Sequence, residues 1–248
     1  MNNTLKILLF STSLFASTTT LAQGADLDAG IYELNRGEFK AAIAEFTPLV
    51  EEGYSPAQYQ MAMMHKNGYG MPKDIAKAIE LLTLSAEQHY PDAQFELALF
   101  YTEGKFVKKD LKKAFELTSK AAYKGLASAQ FNLAVMYATG EGVKQDDFAA
   151  SRWYKSAADQ NYALAQYNLA LLYSEGKGIE KSIEQSYIWN TIASWNGYPD
   201  AETSRKIDER ALSKLKIERG REKANEIYQK ILDQQEIKAK MADNKSIY

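Results

Sequence analysis

The sequence of 248 residues has no cysteine and only two histidines, His65 and His89. Without cysteine there is no disulfide framework, no thiolate zinc site, no iron–sulfur cluster and no thiol nucleophile. Two histidines leave little for metal ligation or proton transfer. A dominant charge is missing as well. Thirty Lys and Arg face 32 Asp and Glu, so no basic field points to nucleic acid as a partner. Long apolar runs are equally scarce: Ile7 to Ala16 is an apolar stretch of about ten residues, against about 20 for a stable membrane span. What is there, 46% hydrophobic and 25% charged side chains, is the composition of an ordinary globular protein and points away from catalysis, metals and cofactors.

Lys6 precedes that short apolar stretch, and Thr20-Leu21-Ala22 follows it with small residues three and one before Gln23. This order predicts a secretory signal over residues 1–22, cut ahead of Gln23. The expected product is periplasmic or secreted, without a transmembrane span after cleavage. No cysteine follows the cut to carry a lipid anchor, so such a chain depends on packing alone.

The rest repeats every 36 residues. Ala57-Gln58-Tyr59 returns as Ala93-Gln94-Phe95, Ala129-Gln130-Phe131 and Ala165-Gln166-Tyr167. Met61, Leu97, Leu133 and Leu169 share a register position, as do His65, Tyr101, Tyr137 and Tyr173, and Gly68, Gly104, Gly140 and Gly176. Four copies without an insertion define a repeat architecture.

Each copy reads as two helices. In the third, Ala129, Leu133, Met136 and Tyr137 fall on one helical face, and Gly140 follows where a left-handed cap has no room for Cβ strain. Asp74, Asp110, Asp146 and Ser182 precede the second helices as N-caps, with Gln185 completing a possible capping box. The first helices are expected to start with cap chemistry at Ser55-Pro56, Asp92, Ser128 and Asp200. One such pair buries too few apolar side chains to offset the entropy of ordering its backbone, so pairs must stack on one another.

From Ala129-Gln-Phe-Asn-Leu-Ala-Val-Met-Tyr-Ala-Thr-Gly-Glu-Gly-Val through Trp153-Tyr154-Lys155-Ser156-Ala157-Ala158 the chain closely resembles the Sel-1-like repeat, a subfamily of the tetratricopeptide repeats. The resemblance implies an all-α fold, a right-handed α/α superhelical solenoid of antiparallel helix pairs. It covers residues 57–200 strongly, with His65 at the usual aromatic position and Phe106 where other copies keep Gly70, Gly142 and Gly178. If that site needs positive φ, Phe106 costs about 1 kcal/mol, or its loop turns differently.

The ends read as caps. Residues 23–56 form a degenerate first pair, 201–240 closing helices, and 241–248 a fraying tail. Two apolar stripes mark the closing segment, Ile207, Ala211, Leu212 and Leu215, then Ala224, Ile227, Tyr228, Ile231 and Leu232.

Opposite the core face of the first helices stand Gln60 and Asn67, Glu96 and Glu103, Asn132 and Thr139, Asn168 and Glu175. Stacked, they make a polar ladder on the surface expected to be concave, suited to an extended peptide backbone. Tyr59, Phe95, Phe131 and Tyr167 stand beside it, either as partner contacts or as packing between repeats. His65 reads as a buried structural histidine and His89 as an exposed turn residue. Glu51-Glu52 and Asp146-Asp147 read as solvated charges or caps, and the Gly-x-Gly turns are not phosphate loops because no strand precedes them. The sequence therefore predicts an exported adaptor that is not an enzyme and binds a protein or peptide partner in the envelope. The alternatives are a spacer without a groove, and a cell-wall-active or β-lactam-binding or -hydrolysing protein. Some cysteine-rich secreted relatives have that assignment, but this chain lacks their cysteines.

Overall fold

A helix closed by a glycine, a seven-residue loop, a second helix and a tight turn make up each repeated unit. The computed structural model describes residues 25–245, which form helices and no strand. The proposed signal segment lies outside the described residues. The helices are α1 (Leu27–Arg36), α2 (Phe39–Glu51), α3 (Ser55–Asn67), α4 (Ile75–Glu87), α5 (Pro91–Glu103), α6 (Leu111–Tyr123), α7 (Ala127–Thr139), α8 (Asp147–Ala158), α9 (Ala163–Glu175), α10 (Ile183–Trp195), α11 (Pro199–Arg210) and α12 (Lys214–Lys245). Each helix packs on its neighbour in sequence from α1 to α11, and α12 packs on α10. The result is an all-α solenoid.

The second helices start as their N-caps dictate. Asp74, Asp110, Asp146 and Ser182 accept the backbone N–H three residues on at 2.9–3.2 Å, satisfying donors the helix leaves free. Only half of the capping box forms, because the Ser182 N–H donates instead to the Tyr173 carbonyl at 2.8 Å. The same bond ties Asp74, Asp110 and Asp146 to the carbonyls of His65, Tyr101 and Tyr137, so the four seven-residue loops end on one shared bond.

The first helices depart from expectation. Their N-caps are Tyr54, Tyr90, Leu126, Tyr162 and Tyr198, none of which makes a side-chain cap bond. Packing has taken the capping slot: Tyr90 lies against Tyr59, Tyr162 against Phe131 and Tyr198 against Tyr167, with centroids 4.7–5.4 Å apart. Proline at the start of α3, α5 and α11 removes a backbone donor that would otherwise need a cap.

Alanine sets the spacing. Ala57, Ala93, Ala129 and Ala165 are fully buried, and so are Ala78, Ala114 and Ala150 on the second helices. Larger side chains such as Met64, Leu82, Leu133 and Leu169 fill the space between them. The loop following each first helix presses on the preceding repeat: a Cβ at Gly142 would collide with the Leu111 carbonyl, and one at Gly178 with that of Asp147. Phe106 occupies the equivalent position without positive φ, so the second loop turns differently, as the sequence left open. Its half-exposed ring lies edge-on to Phe100 at 6.2 Å.

At the carboxyl end only the second expected stripe is built. Helix α11 stops at Arg210, and the first stripe straddles that break, leaving Ile207 and Leu215 exposed. On α12, Gly220, Ala224 and Ile231 are buried, with Ile227, Tyr228 and Leu232 half-buried beside them. This helix continues through Lys245, past the point where fraying was expected.

Candidate functional site

The polar ladder sits on α3, α5, α7 and α9. Gln60, Glu96, Asn132 and Asn168 are half-buried at one register position, while Asn67, Glu103, Thr139 and Glu175 lie exposed in the last turns. Helices α3 and α5 touch on this face: the Lys66 ammonium meets the Glu96 carboxylate at 2.6 Å and stands 5.6 Å from the Phe100 ring centre. Asn132 and Asn168 each donate one amide hydrogen to their own helix, to the Ser128 and Leu164 carbonyls at 3.0 and 2.7 Å. Thr139 donates to the Val135 carbonyl at 3.0 Å. Each of the two amides keeps a carbonyl oxygen and a second N–H for another partner.

The aromatic row beside the ladder belongs to the joints between repeats. Tyr59, Phe131 and Tyr167 meet the aromatic that precedes the next first helix, and Phe95 packs against the cluster of Ala121, Ala122, Ala129 and Leu133. Burial, then the nearby Glu96 and Asp92 charges, push the Tyr59 hydroxyl well above its ordinary pKa. Burial alone raises Tyr154, which packs on Phe131, to about 12. Tyr59, Phe95, Phe131 and Tyr167 remain half-buried, so an edge of each is still open beside the ladder.

Neither histidine joins a chemical cluster. His65 is half-buried, with Nδ1 lacking a partner. Burial lowers its pKa, against the opposing pull of Asp74. His89 is exposed, with φ of 64° at a turn where Gly53, Gly125 and Gly197 stand in other copies. Asp146 is an N-cap, Asp147 follows it in the first turn of α8, and Glu51 and Glu52 are exposed at the end of α2. Among the described residues no group of three or more acidic or histidine side chains could hold a metal ion.

A second ladder escaped the functional reading. Gln58, Gln94, Gln130 and Gln166 are buried in the same helices. The amides of Gln94, Gln130 and Gln166 donate to the carbonyls of Ala86, Ala122 and Ala158 at 3.1–3.2 Å. On the other side Gln58, Gln130 and Gln166 accept from the amides of Gln88, Gln160 and Asn196 at 2.8–2.9 Å. The recurring Ala-Gln pair was its signal. A glutamine kept at a buried register position needs partners for both amide groups.

The Sel1 repeat family profile matches residues 55–90, 91–126, 127–162 and 163–194. The chain is similar in structure to a Sel1 repeat protein from Oxalobacter formigenes, at 21% identity and TM-score 0.69 over 84% of this chain and 85% of that one. It also resembles c5321, a protective antigen of uropathogenic Escherichia coli displaying an SLR fold, at 26% identity and TM-score 0.52. That likeness covers 86% of this chain and 54% of the antigen. A putative Sel1 repeat protein from Klebsiella pneumoniae aligns at 20% identity and TM-score 0.50 over 77% of this chain and 97% of that one. No curated protein matches the chain.

Proposed function

We propose, for a chain that belongs to the Sel1 repeat family, that it is an exported adaptor holding a protein or peptide partner against its first-helix face. Proteins of this family are generally scaffolds for protein–protein interaction. The row Gln60–Glu96–Asn132–Asn168 carries the reading. It sets polar side chains at one register position on successive helices, beside half-open aromatic edges, where an extended chain finds amides and flat apolar surface in alternation. The face is the inner wall of the curve in this proposal, and the partner resides in the envelope because residues 1–22 read as a cleaved signal.

Photo-crosslinkers placed at Asn132 and Asn168, with a control at Glu116 on α6, test the site in cells that produce the protein. A defined adduct from the first two positions and none from the control is the expected result. Equal adducts from all three, or adducts from Glu116 alone, would overturn the assignment of this face. N-terminal sequencing of the envelope fraction should begin at Gln23, and a product retaining Met1 in the cytosol would overturn export.

A further inference from the structure

We propose that the turn between α6 and α7 holds a receptor notch for a primary carboxamide, an asparagine or glutamine side chain supplied by a partner polypeptide. The molecule itself shows what such a notch binds. In the first repeat the Gln88 NH2 group donates to two acceptors together, the Gln58 side-chain oxygen and the Gly53 carbonyl, both at 2.9 Å. In the third, the Gln160 NH2 group repeats the fork, reaching Gln130 Oε1 at 2.8 Å and the Gly125 carbonyl at 2.9 Å. The last copy uses the Asn196 amide on Gln166 at 2.8 Å.

In the second copy this position is Lys124, and the lysine makes neither bond. Gln94, only 2% exposed, is left with its Oε1 buried and without a partner, although its NH2 group is correctly held by the Ala86 carbonyl at 3.2 Å. An orphaned buried acceptor carries an unmet desolvation cost, so a donor arriving there gains more than one arriving at the surface. Beside it lies an open cavity of about 470 Å³ lined by His89, Gln94, Lys120, Tyr123 and Lys124.

The lining selects the ligand. The acceptors equivalent to those of Gln88 and Gln160 are Gln94 Oε1 and the His89 carbonyl, so the fork asks for one nitrogen bearing two hydrogens. A carboxylate has none, and a backbone amide has one. An ammonium has enough, but it would enter against the Lys124 ammonium, with Lys120 beside it paired to Glu116 at 3.1 Å. Tyr123, 77% exposed and set edge-on against Trp153 at 5.0 Å, offers a flat wall for the aliphatic stem of the incoming side chain. The notch lies at the end of a second helix, apart from the first-helix ladder, and stands or falls independently of that face.

Propionamide is the probe, with propionate and propylammonium as isosteric controls, titrated into the full chain and followed by NMR at the Gln94 side-chain amide and Tyr123. Propionamide is expected to shift both signals saturably while the controls leave them in place. Lys124→Gln fills the notch from within, so its melting temperature should rise and the propionamide response should fall at least tenfold. Equal responses to all three compounds, or an unchanged response in Lys124→Gln, would overturn the proposal. So would a drop in melting temperature on Lys124→Ala, which would show the lysine to be the partner of Gln94.

Discussion

Helices α8 and α10 hold the same place in successive repeats, yet α8 meets solvent on its outer side and α10 does not. Arg152 is exposed and Ser156 half-buried on α8, and 36 residues later Ile188 and Ile192 are 2% and 0% exposed. Every residue from Ser186 to Ala193 is buried, a helix covered all round. The cover is α12, whose Ala224 and Ile231 share a cluster with Ile188, Trp189 and Ile192. Gly220 lets it lie close, since a Cβ there would stand 2.8 Å from the Tyr187 ring. The inner junction changes too. Leu172 packs in one cluster with Ala150 and Tyr154, whereas its equivalent Asp208 accepts from the Ser186 hydroxyl and the Asn190 amide, both at 2.8 Å. A repeat followed by another repeat is thus apolar inside and polar outside. The terminal one is polar toward α11 and apolar outward, because a long helix rather than a further pair must be recruited to that face.

Giving α10 the outer residues of α8, Ile188→Arg with Ile192→Ser, should have the largest effect. A charge enters a buried site and two apolar side chains are lost, so a loss of about 3–5 kcal/mol in chemical denaturation is expected, with α12 opened to protease. A variant as stable as the parent would mean that α12 contributes no cover. Next, Gly220→Val should cost about 1–3 kcal/mol by forcing α12 off Tyr187, while leaving the melting of a chain already carrying the α10 swap unaltered. The smallest effect concerns acid. Burial raises the Asp208 pKa, although the Asn190 and Ser186 hydrogen bonds pull the other way. A raised folded-state pKa means that the stability this carboxyl supplies is full below its unfolded value near 3.8 and is lost as pH rises through the folded value. Asp208→Asn should flatten that part of the stability–pH profile, and an unchanged slope would place the titration elsewhere.

Much of this was legible in advance. The period of 36, the capping aspartates and the glycine that ends each first helix all follow from local chemistry, and the structure reproduces them. The second closing stripe was readable because its spacing is helical and unbroken. The first stripe misled because Ala211 to Ser213 interrupt the helix, and periodicity alone carries no sign of a break. The first-helix starts misled for another reason. Ser, Asp and Pro near a helix start suggest capping, but Tyr90 and Tyr198, just before two of these starts, pack in a joint with the previous repeat, which only tertiary contact reveals. The Gln88–Gln58 fork spans 30 residues, and Tyr123 beside Lys124 has no pattern of its own, so the notch was invisible until the turns were assembled.

Helix α12 also turns back over the solenoid, where Gln235 meets the Gln160 carbonyl at 3.4 Å and Lys238 the Gln160 side chain at 3.2 Å. Stacking therefore cannot be continued beyond α11 by simple appendage, since the next unit would compete with a helix already folded across its predecessor. Lengthening this rod calls for duplicating a unit in its middle, for instance after Tyr162, where both neighbours would meet the same apolar joint they meet now.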